Sequence, residues 1–319
     1  MKILVTGAAG FLGRHVCRRG VAAGHAILGT YRTDRADVSG VDWVPADVTD
    51  AAAVDALIEA TRPDAIVHTA IGLAGSLMPL AAERNWITNA VAPVHIARAS
   101  VRHNIRLVHI SSDAVHRGRD EPYGDAAAPD PIYSYGAAKA AAELAVATVA
   151  PEAVIVRVPP IMSGGGDDLA DRERFMLDLA SGRADGVLFT DEIRCPIAAD
   201  DLADACLDLA ANDVSGLLNV AGSDVMSWYD MGRLVVAKQG GDPDALPTGT
   251  HASTRAERPG RVVLDTARAR TVLRVHLRGL REAYAESGHG AESGHGAESS
   301  QSPESGRGAP VPIDGHRDR

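Results

Sequence analysis

Residues 2–13, KILVTGAAGFLG, decide the fold of this 319-residue chain. A short β-favouring run leads into Gly7, Gly10 and Gly13, which are spaced G-x-x-G-x-x-G, and an amphipathic helical stretch follows. Glycines let a backbone approach a pyrophosphate closely, and the N-terminus of the next helix supplies N–H donors. We therefore predict a dinucleotide-binding strand–turn–helix here, although a glycine pattern alone could also form a plain tight turn.

The rest of residues 1–160 continues this alternation of strand and helix. The predicted strands are KILVT (2–6), AILGTY (26–31), WVPA (43–46), AIVHTA (65–70), RLVHIS (106–111) and AVIVRV (153–158). The helical stretches between them lie near 11–23, 51–61, 81–103 and 133–149. Continuous apolar strands that alternate with helices are typical of a parallel sheet covered on both faces. We predict a Rossmann-like, doubly wound α/β domain.

Residues 161–284 are predicted to form a smaller substrate lobe, which could exchange segments with the first domain. Its start is marked by a loop rich in glycine and aspartate, SGGGDD (163–168). Ligands of open α/β sheets bind at the carboxyl ends of the strands, so we expect the site in a cleft between the lobes. Residues 285–319 contain AESGHG twice and predict a disordered tail, because such a sequence cannot offset its ordering entropy.

Composition excludes several classes of protein. A net charge of -10 and only 3 Trp, 6 Tyr and 3 Phe argue against a nucleic-acid-binding protein. No apolar run approaches the length of a membrane span, and the N-terminus is typical of a strand and not of a signal peptide, so we expect a cytoplasmic protein. Cys17, Cys195 and Cys206 lie far apart and indicate neither disulfides nor a metal site.

Tyr135 and Lys139 form the most specific pattern in the chain. They lie four residues apart in a segment of high helical propensity and therefore share a helix face. Lys2 and Lys238 are the only other lysines, so a chance pair at this spacing is improbable. A buried ammonium, together with the positive nicotinamide of the cofactor, can lower the pKa of a neighbouring phenol enough for proton exchange near neutral pH. Ser112, at the end of the fifth strand, could bind the carbonyl oxygen that Tyr135 protonates, or could be only a turn residue.

The end of the second strand suggests which dinucleotide is bound. Arg32 stands where NAD sites usually have an acidic residue, and an arginine suits the 2′-phosphate of NADP. We predict NADP(H) in preference to NAD(H), although Arg32 could be a solvated loop residue and Asp34 an acidic substitute. Asp47 could accept from the adenine amino group or merely lie in a loop. The other predicted cofactor contacts are Phe11, Leu12, Val48, Thr69 and Ala70, together with Tyr135 and Lys139.

The motifs together resemble the extended short-chain dehydrogenase/reductase superfamily over about residues 1–284. HISSDAVHRG, YGAAKAAAE, EIRCPI and LLNVAGSDVMSWYDMG are similar to the branch that contains dTDP-4-dehydrorhamnose reductases and the regulatory beta subunit of methionine adenosyltransferase. The resemblance implies that Ser112, Tyr135 and Lys139 are the catalytic triad. It further implies hydride transfer from NADPH to C4 of a nucleotide-activated 4-keto sugar, and it allows a homodimer.

Three residues are predicted to contact the substrate. His116 lies where the branch usually has an aromatic residue and an acid, which leaves the identity of the sugar open. Arg194 matches an arginine of the branch and could bind a diphosphate bidentately, or could pair with Asp191 or Glu192 at the surface. Trp228 could stack on a base or a sugar, or could pack in the core.

Two other functions remain open from the sequence. A regulatory subunit of another enzyme could keep the fold and the triad. An epimerase or dehydratase with tightly bound NAD could share the fold, but Arg32 disfavours it, and Asp113 is only a weak candidate for the extra acid/base group beside Ser112. Asn89 matches an asparagine of the branch, and His68 is expected to pack and not to react.

Overall fold

The computed structural model describes residues 1–72, 83, 85–253 and 259–287. Most of the predicted tail, residues 288–319, therefore lies outside the described residues. The last helix ends at Glu286 and so includes the first two residues of the predicted tail.

The chain alternates strands and helices through most of its length. The strands are β1 (Lys2–Thr6), β2 (Ala26–Tyr31), β3 (Val41–Pro45), β4 (Ala65–His68), β5 (Arg106–Ile110), β6 (Val154–Arg157), β7 (Ile161–Met162), β8 (Leu188–Phe189), β9 (Ile193–Arg194), β10 (Ile197–Ala198), β11 (Gly216–Asn219), β12 (Met226–Ser227) and β13 (Thr248–Gly249). The α-helices are α1 (Phe11–Ala22), α2 (Ala51–Thr61), α3 (Ala92–His103), α4 (Ser134–Val149), α5 (Asp171–Ala180), α6 (Ala199–Ala210), α7 (Trp228–Lys238), α8 (Ala267–Val272) and α9 (Leu280–Glu286). A π-helical turn, Ile87–Val91, leads into α3, and 3₁₀ turns cover Asp113–Val115, Pro243–Ala245 and His251–Ser253.

A seven-stranded sheet forms the centre, in the order β11-β6-β5-β4-β1-β2-β3. Every neighbouring pair in it is parallel. The strand order changes direction between β1 and β4, and in such sheets ligands bind at the carboxyl ends of the strands beside this reversal. The predicted doubly wound α/β fold is confirmed.

Both faces of this sheet are buried, which explains why its strands read as continuous apolar runs. Ile3 and Val5 of β1 enter one core with Leu202 and Cys206 of α6. Leu4, between them, points to the opposite face and enters a second core with Ile96 of α3. The alternating direction of side chains along a strand thus divides one apolar run between two cores.

The second part of the chain contributes to both lobes. A separate core contains Met176 of α5, Met231 of α7 and Tyr284 of α9. Leu188 of β8 and Met226 of β12, which belong to small two-stranded sheets, pack into the same core. In contrast, α6 packs against the central sheet, and β11 pairs with β6 at its edge. Segments of 161–284 thus pack on the central sheet, where their apolar surfaces complete its edge and its helical layer. The division into two domains at residue 160 stays a prediction.

No helix in the described part of the chain has both the length and the apolarity needed to cross a bilayer.

Candidate active site

The glycine loop lies at the carboxyl end of β1, where the strand order reverses. Gly7 has a φ of +73°, which L side chains rarely adopt, and a Cβ there would lie 2.6 Å from backbone atoms of Ala70. A Cβ on Gly13 would lie 2.3 Å from the carbonyl oxygen of Gly7. Both positions therefore require glycine, one for its conformation and both for close approach of the backbone.

Two threonines hold this loop in place. The Gly7 N–H donates to Oγ1 of Thr30 at 3.2 Å, and the Ala8 N–H donates to the Thr30 carbonyl at 3.1 Å. The hydroxyl of Thr69 donates to the carbonyl of Thr6 at 2.8 Å. These bonds fix the loop to the ends of β2 and β4. The Thr69 hydroxyl, predicted to contact the cofactor, is used here in a hydrogen bond within the protein.

The loop and the first turn of α1 together fit a dinucleotide pyrophosphate. No side chain caps α1 at Gly10, so the first N–H groups of the helix, which have no partner within it, can serve an anion. Leu12 is buried, and of its groups the backbone N–H is the one suited to this role. The space beside Gly7 and Gly13 is filled by backbone atoms of Ala70, Ala8 and Gly7 itself, so glycine at both positions lets the loop fold tightly against the end of β4 and the start of α1.

Arg32 lies just beyond β2, where the sequence predicts the adenosine end of a bound dinucleotide. Its side chain is exposed and makes no ion pair or hydrogen bond with another described residue, so its guanidinium can meet a 2′-phosphate. Asp47 accepts from the N–H and the hydroxyl of Thr49, at 2.9 and 2.7 Å, and so also shapes its own turn. The side chain of Val48 belongs to the core.

Ser112, Tyr135 and Lys139 meet at the end of β5. Ser112 caps the turn Asp113–Val115, accepting from the Ala114 N–H at 3.2 Å and donating to Asp113 at 3.3 Å. Tyr135 lies in the first turn of α4, and Lys139, one turn later, is 1% exposed. The Lys139 ammonium donates to the carbonyl of Ile110 at 2.6 Å. Lys139 is thereby fixed to the strand whose end carries Ser112.

Gly136 explains how closely α4 approaches the serine turn. A Cβ at this position would lie 2.1 Å from the carbonyl oxygen of Ala114. A glycine inside a helix costs about 1 kcal/mol relative to alanine, so its presence beside Tyr135 calls for a packing reason. A glycine inside an otherwise strong helical segment was therefore a signal in the sequence for close packing, and the sequence analysis did not use it.

Burial controls the electrostatics of the two reactive groups. It raises the pKa of the Tyr135 phenol; the charge of Asp113 adds to this, and the Ser112 hydroxyl and the Arg172 charge oppose it. Burial also lowers the pKa of Lys139 to about 8, against the charge of Glu143. Burial of the phenol therefore outweighs the positive charge around it. The predicted fall of the Tyr135 pKa, which counts on Lys139 together with the nicotinamide of the cofactor, stays a prediction.

Glu143 and Arg157 form a buried ion pair behind the site. The Arg157 guanidinium donates to Glu143 at 2.8 Å, and the Ser111 hydroxyl donates to the same carboxylate at 2.6 Å. Both charged side chains are almost completely buried. The pair joins α4, β5 and β6 next to Ser112, and the sequence offered no signal that these two residues meet.

Arg194 is engaged with the protein itself. Its guanidinium donates to the carbonyls of Ile193, Pro259 and Gly260, each at 2.8 Å, and its Nε lies 3.5 Å from Oδ2 of Asp113. Burial raises the pKa of Asp113, and Arg194 opposes this rise. The ion pair that forms is thus with Asp113, a residue of the serine turn, and a diphosphate would have to displace these bonds.

His116 has no exposed surface in this structure. Its ring stacks on Tyr123 at 3.9 Å between centroids, and its Nε2 lies 3.4 Å from the Arg157 guanidinium. Burial, assisted by the Arg157 charge, lowers the pKa of His116 to about 4. The predicted substrate contact has no support here, because the β5 loop turns this ring into the protein, and we assign His116 to packing.

Trp228 begins α7 and packs half-buried against the core of the second lobe. The Arg172 guanidinium carbon lies 5.8 Å from the centroid of its indole ring. Sequence reasoning did not single out Arg172, which stands among other charged residues at the start of α5 and gives no local signal.

His68 and Asn89 have structural contacts. His68 Nδ1 lies 2.6 Å from Oγ1 of Thr6, and its ring stacks on His109. Burial lowers the pKa of His68 to about 3. Asn89, in the π-helical turn, donates to the carbonyl of Gly72 and accepts from its N–H, both at 3.0 Å. His68 thus packs as a neutral ring, and Asn89 clamps the segment that follows β4.

Comparison with known proteins adds independent information. The sequence model of the family described as RmlD substrate binding domain matches residues 1–289. The dTDP-4-dehydrorhamnose reductase of Mycolicibacterium smegmatis is 30% identical over 291 residues, which cover 90% of this chain and 84% of the relative.

Solved structures support the fold. A dTDP-4-dehydrorhamnose reductase from Bacillus anthracis in complex with NADP has a TM-score of 0.76 at 21% identity and covers 91% of this chain and 99% of its own. The Bordetella bronchiseptica enzyme WbmH in complex with NAD+ has a TM-score of 0.75 at 19% identity, with coverages of 92% and 99%.

Proposed function

The chain belongs to the RmlD substrate binding domain family, and we propose that it is an NADPH-dependent reductase of a nucleotide-activated 4-keto sugar, of the dTDP-4-dehydrorhamnose reductase type. The observation that carries this proposal is that Ser112, Tyr135 and Lys139 lie together at the end of β5, at the same edge of the sheet as the glycine loop. A relative of that name matches along most of the chain, which supports the same reaction.

The cofactor is assigned to the cradle at the end of β1. Gly7, Gly10 and Gly13 and the first turn of α1 hold the pyrophosphate, and Ala70 borders it. Arg32 meets the 2′-phosphate, since its guanidinium is exposed and has no other partner among the described residues, and this supports NADPH over NADH. When bound, the cofactor supplies the hydride.

The protein supplies the proton and positions the ketone. The Ser112 hydroxyl binds the keto oxygen, and the Tyr135 O–H donates its proton to that oxygen as the new C–H bond forms. Because burial raises the pKa of Tyr135, the phenol stays protonated and is ready to act as an acid. A positioned general acid contributes about 10²–10⁴-fold to the rate.

Lys139 acts on the tyrosine after proton transfer. Its ammonium, held by the Ile110 carbonyl at 2.6 Å, stabilises the phenolate that remains. Its pKa of about 8 keeps this group largely charged at neutral pH. Glu143, one turn further along α4, favours the charged form of Lys139.

The proposal is tested by NADPH oxidation with purified full-length protein and a panel of nucleotide 4-keto sugars, including dTDP-4-dehydrorhamnose. We expect oxidation that depends on both sugar and enzyme with at least one dTDP-linked 4-keto sugar. A protein that binds NADPH yet oxidises it no faster with any sugar of the panel than in the sugar-free blank would instead favour the regulatory subunit.

A further inference from the structure

Arg172 is the second residue of α5, a helix whose Met176 and Leu179 belong to the separate core of the second part of the chain. Its guanidinium carbon is 5.8 Å from the centre of the Trp228 ring. Its positive charge acts on both Asp113 and Tyr135. A cation carried by α5 therefore lies close enough to influence two groups at the end of β5 and the start of α4.

This guanidinium has unused donors. Within the described ranges it makes no hydrogen bond and no ion pair. Other arginines nearby are occupied, since Arg174 on the same helix pairs with Asp171 at 3.1 Å and Arg194 donates to three carbonyls. A cation held near a catalytic site without a protein partner is suited to an anionic ligand.

The start of α5 is rigidly held, which fixes the backbone position of Arg172. The fully buried carboxylate of Glu173 accepts from the N–H and the hydroxyl of Ser163, at 2.9 and 2.6 Å. It also accepts from the N–H of Ala170 at 2.7 Å and from the hydroxyl of Tyr284. The helix end is thus tied to the preceding loop and to α9, and little backbone reordering is needed when Arg172 binds a ligand.

We propose that Arg172, seated over the indole of Trp228, binds the diphosphate of the nucleotide-sugar substrate. A guanidinium presents paired N–H donors that match two phosphate oxygens, and an aromatic face beneath it restricts its orientation. The chain carries a net charge of -10, so a diphosphate must be met by local cations and not by the overall field. The identity of the sugar in this inference rests on the proposed function. The recognition of a diphosphate by Arg172 does not.

Calorimetric titration of the full chain, saturated with NADP+, tests the inference. The probes are dTDP, dTMP and thymidine, and the variants are Arg172→Gln, Arg172→Lys and the matched control Arg174→Gln. We expect Arg172→Gln to weaken dTDP binding by about 10- to 100-fold, as is typical for loss of a charge-assisted hydrogen bond, and to leave thymidine binding unchanged. Arg172→Lys retains part of the affinity, and Arg174→Gln binds dTDP within about 2-fold of the wild type.

Three results would overturn the assignment. They are wild-type protein that does not bind dTDP, Arg172→Gln protein that binds dTDP as tightly as the wild type, and an equal loss of dTDP and thymidine affinity. Thermal unfolding of each variant shows whether a loss reflects misfolding, and retained binding by Arg172→Lys separates the charge from the packing of the side chain.

The binding measurement is independent of turnover. If no keto sugar is reduced but Arg172→Gln selectively loses dTDP affinity, the diphosphate site stands and the proposed reaction is wrong. If a keto sugar is reduced and Arg172→Gln leaves its KM unchanged, the reaction stands and the role of Arg172 is wrong.

Discussion

The ammonium nitrogen of Lys139 lies 2.6 Å from the carbonyl oxygen of Ile110, the last residue of β5. This bond fastens the helix that carries Tyr135 to the strand that leads into Ser112. Since Lys139 is buried at this point, its charge is costly to the fold even though the proposed reaction needs it.

Lys139→Met is therefore expected to stabilise the protein while abolishing turnover. Burial lowers the pKa of Lys139 from 10.5 to about 8, which corresponds to a penalty of about 3 kcal/mol at neutral pH. The variant also loses the hydrogen bond to Ile110, so the free energy of unfolding is expected to rise by about 2 kcal/mol in all. The gain is complete below about pH 8 and disappears above about pH 10.5, where the unfolded chain also loses the proton. Chemical denaturation across this range measures it.

Lys2→Met is the control for that experiment, because Lys2 is exposed. A similar gain from Lys2→Met, or destabilisation by Lys139→Met at neutral pH, would contradict the assignment of the cost to the buried charge.

Tyr135→Phe is expected to lower kcat by about 10²–10⁴-fold, because the general acid is removed and the ring remains. Binding of NADPH, followed by fluorescence titration, is expected to change by no more than about 2-fold, because the glycine loop and Arg32 are untouched. Full activity in this variant would show that another group donates the proton.

Arg32→Ser is expected to raise the KM for NADPH by about 10-fold or more and to leave the KM for NADH nearly unchanged, because the 2′-phosphate loses a charge-assisted partner. Arg35→Ser is the matched control, since Arg35 is an exposed arginine on the same loop. Steady-state kinetics with both cofactors measures the ratio of the KM for NADH to the KM for NADPH. If Arg35→Ser gives the larger effect, the phosphate contact belongs to Arg35.

His109→Leu is expected to reduce the loss of stability in acid. Burial, helped by the Lys139 charge, lowers the pKa of His109 well below 6.5. The unfolded chain therefore binds a proton at His109 below about pH 6.5 while the folded protein does not, and stability falls by up to about 1.4 kcal/mol per pH unit from this group. Chemical denaturation from pH 7 to pH 5 measures the free energy of unfolding, which is expected to fall less steeply with decreasing pH in the variant than in the wild type. The exposed residue His276 offers a control, His276→Leu, that should leave the slope as in the wild type.

Arg194→Met is expected to destabilise the protein by about 3 kcal/mol, because it leaves Asp113 buried without its partner and removes bonds to the chain at Pro259 and Gly260. Thermal and chemical unfolding measure this loss. In folded variant protein at low temperature, affinity for dTDP is expected to stay within about 3-fold of the wild type. A stable variant with strongly weakened dTDP binding would return the diphosphate role to Arg194.

The sequence predicted those parts of the site that depend on spacing within one element. The glycine loop follows from three glycines between a strand and a helix, and the Tyr135–Lys139 pair follows from four-residue spacing on a helix. The strand–helix alternation likewise predicted the parallel sheet. The period of apolar residues and the spacing of side chains are set within a single helix or strand, so they can be recognised before the fold is known.

Tertiary structure decided which distant groups meet and which are desolvated. It joined Arg194 to Asp113, enclosed His116, placed Arg172 over Trp228 and buried the Tyr135 phenol, which raises its pKa. Each of these results depends on elements far apart in the chain that pack together and exclude water. The sequence therefore predicted the fold and the Tyr135–Lys139 pair. Long-range packing decided the charges around them, because desolvation depends on segments that are distant in the chain and not on any one of them.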